Sequence, residues 1–511
     1  MLNKPGFGQK RIHLILFVIT LITTTIAGAE WMTGRSLFYG PKTITADQIV
    51  AGLQFSIPFL LILTCHEFGH YFVAQYHKVK VTLPYYIPLW LGFVPFLPSI
   101  GTMGALIRIK ENVNSRKKYF DIGVAGPLAG FVIAIFVLIY GFVTLPGIEY
   151  IYNIHPDYRQ YGNHYTEYIH TYEHHLNNHI AFYKDQRVAD SIAYFQENGT
   201  IENWTYPDFK PNDQYVSTSF IFGKTILFSF LEDLFVSDRG KIPSRYEASH
   251  YPLLLAGFLA LFFTSLNLLP IGQLDGGHIL YGLIGPKKFR YVSSGIYLLL
   301  LYYAGLGIVN PYKIGSDVLN QIVYFVFLYF CFIRFTPNQR DRWMFASIVY
   351  FSQFITVYFY PEVTGYTMWL LFAFILGRFL GINHPPVEHD EPLSQGRKVL
   401  GWTALFVFVI CFSPRPFIVE QNIYDKSNKS ETPIFLSTVN PSPYSARIEC
   451  PNSDARASSN FMNCGDEMSV LAGSPSGSKN CDLNAFTASI LCAQKRETST
   501  TRSGCIKSVW M

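Results

Sequence analysis

The sequence predicts an all-α polytopic membrane protein with about nine transmembrane helices, and three observations predict it. Hydrophobic residues fill 50% of the 511 positions and charged residues only 15%, against about 25% charged in an ordinary soluble chain. Apolar runs of about 20 residues, long enough to cross a bilayer, recur between short polar loops. Basic residues gather beside these runs: Lys78 and Lys80, Arg108 and Lys110, Arg116, Lys117 and Lys118, Lys287, Lys288 and Arg290, Arg334, Arg340 and Arg342, and Arg397 with Lys398. With an inside amino terminus every cluster falls inside, as the positive-inside bias requires. The net charge of +5 therefore orients helices and implies no nucleic-acid partner. Neither a phosphate-cradling glycine loop nor a solenoid-period repeat occurs.

The spans are expected near residues 12–29, 51–76, 121–145, 252–275, 292–309, 317–334, 343–360, 366–380 and 399–412. The first follows Lys4, Lys10 and Arg11, so a cleaved signal peptide ending near Ala27-Gly28-Ala29 competes with a retained helix, and the retained helix is preferred. Residues 80–115 are apolar but carry Pro84, Pro88, Pro95, Pro98, Gly92, Gly101 and Gly104, which make a poor helix. Non-helical backbone at membrane depth needs protein or a water cavity around it, so a re-entrant, β-hairpin-like loop is expected. Residues 146–250 read as a polar, tyrosine-rich outer insertion of helices and loops without a PDZ-like strand pattern. From about Gln421 the chain turns to Ser, Thr, Asn and Lys without apolar periodicity, and disorder is expected. The organisation is then a first helix and outer loop (1–50), two halves of a core (51–145 and 251–290) split by the insertion (146–250), accessory helices (291–420) and a tail (421–511).

The strongest local signal is His66-Glu67-Phe68-Gly69-His70. Histidines four apart share one helix face, so both imidazoles can reach one metal ion. Glu67, beside the first, can take a proton from an attacking water. Ionisable groups within an apolar helix are costly unless they face a cavity and have a use. A hydrolytic site needs a third ligand and an open position, and Asp275 is the candidate, at the end of the apolar run that leads into Asn267-Leu268-Leu269-Pro270-Ile271-Gly272-Gln273-Leu274-Asp275-Gly276-Gly277-His278. Pro270 and the glycine pair would break or kink that helix and turn the carboxylate inward. Asn267 either hydrogen-bonds substrate or a developing oxyanion, or serves as a structural amide. His278 reads as a neighbour of the site, since a fourth protein ligand would leave no room for water.

Together these motifs resemble the site-2 protease family of intramembrane zinc metallopeptidases, nearest its bacterial and plastid members without a PDZ domain. His66-Glu67-Phe68-Gly69-His70 looks like the family's zinc-binding helix, and the segment from Asn267 to His278 resembles its Asn-x-x-Pro…Leu-Asp-Gly element. The resemblance implies a three-helix catalytic core holding Zn2+ on His66, His70 and Asp275, with Glu67 as catalytic base. Gly101-Thr102-Met103-Gly104 looks like the G-x-x-G element of a substrate-binding loop, making Gly101, Gly104 and Asn267 the candidate substrate-binding residues. Gly126-Pro127-Leu128-Ala129-Gly130 resembles the small-residue motif opening the next core helix. The match covers residues 51–145 and 252–285, and Gly272-Gln273 departs from the prolines many relatives carry there. The implied activity is hydrolysis of peptide bonds within or near transmembrane segments of membrane-protein substrates. The implied setting is a lipid bilayer, the bacterial inner membrane, with a cytoplasmic amino terminus. The alternative is a non-catalytic client-binding protein or transporter retaining a metal site, which would have no need of Glu67. A prenyl-protein zinc protease would lack the Asn267–Asp275 element.

Two further features stand apart. The insertion holds His155, His164, His170, His174, His175 and His179, and the pairs His170/His174 and His175/His179 have helical spacing. A second metal or a pH sensor is conceivable there, but a solvated polar loop is preferred. Of eight cysteines, Cys450, Cys464, Cys481, Cys492 and Cys505 lie in the tail, which the topology places in an oxidising compartment; Cys65 is a small apolar filler.

Overall fold

The computed structural model describes residues 7–39, 43–94, 99–111, 113–201, 204–426 and 434–437. The five tail cysteines lie outside the described residues. The chain divides into two units, residues 1–174 with 213–443, and residues 175–212 with 444–511.

Helix α1 (Phe7–Thr33) is followed by the short α2 (Ala46–Ala51), started by a reciprocal Thr45–Gln48 cap, and by α3 (Leu53–Tyr76). Strands β1 (Tyr85–Leu89) and β2 (Gly101–Leu106) form an antiparallel hairpin before α4 (Arg116–Val143). Stretches Lys10–Thr33, Ala46–Tyr76 and Arg116–Val143 are long and apolar enough to cross a membrane. At 1.5 Å per residue, the 24 residues of the first reach about 36 Å, beyond the ~30 Å hydrocarbon layer.

The insertion folds as α5 (Glu149–Ile154), a 3₁₀ stretch, α6 (Tyr165–Tyr168), α7 (Tyr172–Asn198), β3 (Gln214–Phe222) and α8 (Ile226–Phe235). There follow α9 (Pro252–Leu268), α10 (Asp275–Gly305), α11 (Ile314–Cys331), α12 (Gln339–Phe359), α13 (Met368–Ile375) and α14 (Gln395–Cys411). Strands β4 (Phe417–Asp425) and β5 (Ile434–Ser437) close the described chain. The second unit, within its described residues, carries most of α7 and an aromatic cluster in which Tyr183 packs on Tyr206 and Phe209.

Helices lie on every expected span; among the described residues three have the length and hydropathy of a crossing segment, and α9, 317–331 and 368–380 are shorter apolar helices. The fold is mostly helical rather than all-α: β3, β4 and β5 form a three-stranded antiparallel sheet, with Phe222 opposite Phe417 and Gln214 opposite Asp425. Val, Thr, Tyr, Phe and Ile along β3 suit a pleated, half-buried surface. That sheet also carries ordered structure past residue 421, where the sequence suggested a structureless tail.

The core packs α3, α4 and α9 around Phe55, Phe59, Phe120, Leu138, Leu255, Phe258 and Leu261, all buried. Within lipid, helices gain little from hiding apolar surface from one another, so close fit and interhelical polar ties hold them. Close fit shows where α3 meets α4: a Cβ on Gly69 would lie 2.6 Å from the Ala125 carbonyl oxygen. Polar ties cluster at one end. Asp121 on α4 accepts from Arg397 of α14 at 2.7 and 2.9 Å and lies 2.8 Å from His77 at the end of α3. Arg116 donates twice to the Gly282 carbonyl of α10 and pairs with Asp390. Accessory helices are thereby fastened to the elements that carry the motifs.

Candidate metal centre

His66, Glu67 and His70 project from the middle of α3 and are all buried. The face between them and α4 has room because α4 presents glycine there. A Cβ on Gly126 would overlap the Nε2 edge of the His70 ring, and one on Gly130 would lie 3.0 Å from His66 Cβ. The Gly126–Gly130 motif is thus the space in which the two imidazoles stand. His70 Nδ1 lies 2.8 Å from the Ile122 carbonyl, which can only accept, so Nδ1 carries the hydrogen and Nε2 offers its lone pair in the neutral ring.

Asp275 arrives by a break in the chain. Helix α9 ends at Leu268, the chain turns through Pro270 and a left-handed Gly272 (φ 59°), and α10 begins at Asp275 itself. The carboxylate therefore opens one helix rather than closing another, a placement the positive end of the helix dipole favours. A Cβ at Gly272 would meet the Gly381 carbonyl oxygen, and one at Gly276 the Leu268 carbonyl oxygen. Ser293 donates to the Ile382 carbonyl and accepts from the Gly272 N–H, pinning this turn between α10 and the segment after α13.

The result is a triangle of ligand atoms. His66 Nε2 and His70 Nε2 are 3.1 Å apart, and Asp275 Oδ2 lies 3.6 and 3.2 Å from them. Tetrahedral zinc with bonds of about 2.0–2.1 Å sets its ligand atoms about 3.3 Å apart, so the three atoms fit one ion, and two nitrogens with one carboxylate oxygen suit a borderline divalent metal. Glu67 sits between the histidines in sequence, within electrostatic reach of His70 and Asp275, with the backbone of Ile107 beside its carboxylate.

Of the remaining sequence candidates Asn267 meets this triangle, its amide nitrogen 3.4 Å from His66 Nε2. Gly101 and Gly104 both hold positive φ, 85° and 108°, in the hairpin, where Thr23 of α1 donates to the Gly101 carbonyl. Tyr86 of β1 joins its hydroxyl to Thr64 at 2.8 Å, two residues before His66. His278 stays outside the triangle: its Nδ1 meets His384 Nε2 at 2.8 Å, and its ring stacks on Tyr119. His384 escaped sequence reasoning because it is a lone histidine in a proline-bounded loop, 106 residues from its partner.

An apolar helix bundle with a buried His/His/Asp centre and a glutamate beside it has the layout of a membrane metallopeptidase. Residues 54–304 match the model of peptidase family M50. It is similar to "Probable zinc metalloprotease EGY1, chloroplastic" of Arabidopsis thaliana, at 23% identity over 58% of this chain and 44% of the relative. It is likewise similar to "Probable zinc metalloprotease EGY2, chloroplastic" of Oryza sativa subsp. indica, at 23% identity over 46% of this chain and 29% of the relative. Against the EGY2 protein of Arabidopsis thaliana identity is 34% over 19% of this chain and 16% of the relative. The match thus spans less than half the length of these relatives. No solved structure matches the chain.

Proposed function

We propose that the protein is a zinc metalloendopeptidase that hydrolyses peptide bonds within or near transmembrane segments of membrane-protein substrates. The observation that carries this is the His66–His70–Asp275 triangle with Glu67 beside it, where His66, Glu67 and His70 are buried on a helix able to cross a bilayer. The chemistry zinc supplies in such a donor set is Lewis acidity toward the scissile carbonyl and the attacking water. Glu67 accepts the proton of that water and returns it to the leaving amine. Asn267 holds either the substrate backbone or the developing oxyanion beside His66.

A helical peptide bond is shielded by its own hydrogen bonds, so the substrate must be extended before it is cut. The β1–β2 hairpin stands beside α3 and offers strand edges for added-strand pairing, with Gly101 and Gly104 shaping β2. In this reading about nine helices cross the membrane and the 80–115 segment is re-entrant. The amino terminus lies on the cytoplasmic side, with the basic clusters, and the membrane is a bacterial cell membrane. Substrates and bilayer are the only partners required.

The test is cleavage of a panel of tagged single-span proteins in membranes by wild type, by Glu67→Gln and by chelated enzyme. Wild type should release a discrete fragment. Glu67→Gln should lose about 10²–10⁴-fold in rate while keeping its metal. Equal fragments from wild type and variant would remove Glu67 as base and the catalytic reading with it.

A further inference from the structure

The geometry points to a second zinc site, formed by His155, Glu247 and His250 where the insertion meets the ends of α1 and α9. His155 caps the end of α5; Glu247 and His250 are three apart, and a single 3₁₀ turn (Ala248–His250) aims both side chains the same way. His155 Nε2 and His250 Nε2 are 3.3 Å apart, and Glu247 Oε2 lies 3.5 and 3.3 Å from them. These separations match the ~3.3 Å between ligand atoms around tetrahedral zinc as closely as those of the centre on α3 do.

Two further observations favour an ion over a plain polar contact. Glu247 is buried, and its Oε2 faces the two imidazole nitrogens at 3.3 and 3.5 Å without making a well-aligned hydrogen bond to either. A buried carboxylate oxygen left so is costly unless a cation completes it. His250 Nδ1 lies 2.9 Å from the Met32 carbonyl, which can only accept, so in the neutral ring the lone pair of Nε2 points at the cluster. His155 is held by stacking on Tyr158 at 4.6 Å, and the Tyr158 hydroxyl is 3.4 Å from Glu247 Oε1. Tyr150 donates to the His250 carbonyl at 2.6 Å. The His155 side chain is 29% exposed, which leaves an entry path and a position for water as fourth ligand.

Its donors come from the insertion and from the turn before α9, and His250 also grips the last turn of α1. An ion here would clasp the insertion to two membrane helices, well away in sequence from the peptidase motif. Its binding free energy would add to the folding free energy of the chain.

The experiment counts metal in the full chain, purified in detergent, loaded with Zn2+ and desalted. Wild type should hold two zinc ions. His70→Ala with Asp275→Asn should hold one, and so should Glu247→Gln, a near-isosteric change, and His250→Ala; all four changes together should hold none. Cobalt loaded into the His70→Ala, Asp275→Asn protein should give the visible bands of tetrahedral Co2+, and His155→Ala should abolish them. If Glu247→Gln and His250→Ala, both with wild-type helical circular dichroism, keep the wild-type zinc count, the site does not exist. A wild type holding one zinc that vanishes in Glu247→Gln but survives His70→Ala would uphold this site and overturn the centre on α3 instead.

Discussion

Gly126 shows how much chemistry a missing side chain can carry. The His70 ring occupies the volume where a Cβ at position 126 would stand, so even alanine must displace the imidazole. Alanine is a better helix former than glycine by about 1 kcal/mol, so Gly126→Ala should leave helix content and insertion intact. It should nonetheless lose zinc at the α3 centre and, with it, proteolysis; a variant cleaving at the wild-type rate would sink the proposed packing. At this scale, what the sequence revealed was what is local. His66 and His70 are one helical turn apart, so their common face could be read directly from spacing. Glu247 and His250 have a related spacing, but their third partner, His155, lies 95 residues from His250, and no local pattern announces it. Of the first histidine pair that spacing did suggest, His170 meets the Tyr424 hydroxyl and His174 lies beside Tyr161.

Elements matter here chiefly through their ends. Asp275 was legible as a ligand candidate from the residues around it, but its position was not, because Pro270 and Gly272 stop one helix and start another within a few residues. Gly272 has φ 59° and faces the Gly381 carbonyl. Gly272→Ala should therefore cost about 1–2 kcal/mol from the left-handed backbone alone, with more from that contact. It should weaken zinc affinity far more than it alters helical circular dichroism. The sheet was missed for a related reason. Strand β3 pairs with a segment about two hundred residues on, Phe222 opposite Phe417, and a lone strand inside a polar insertion shows little of the alternation that marks a hairpin.

For the whole molecule, the polar ties at one end of the bundle fasten accessory helices to the elements that carry the site. The Asp121–Arg397 pair joins α4 to α14 with two charge-assisted bonds, each contributing about 1.5–3 kcal/mol. Arg397→Ala should lower the thermal midpoint of the detergent-solubilised protein by several degrees while leaving the metal count unchanged; no change would show α14 to be passively attached. Overall hydropathy gave the class of molecule readily. It marks three long apolar stretches plainly, whereas α9 and 317–331 are apolar but short and α12 mixes polar residues into its face.

The distance along the chain between the two parts of the metal triangle sets a clock on biosynthesis. His66 and His70 leave the ribosome about two hundred residues ahead of Asp275. At 5–20 residues per second that is an interval of about 10–40 s. A nascent chain meanwhile holds two imidazoles and a glutamate but no third ligand, so on the proposed function it is inert among other emerging membrane segments. Chains halted just before residue 275 should be inert and hold no zinc at α3, whereas chains halted after α10 is inserted should acquire the ion. On the proposed function, the chain would become dangerous to its neighbours only once α10 is in place.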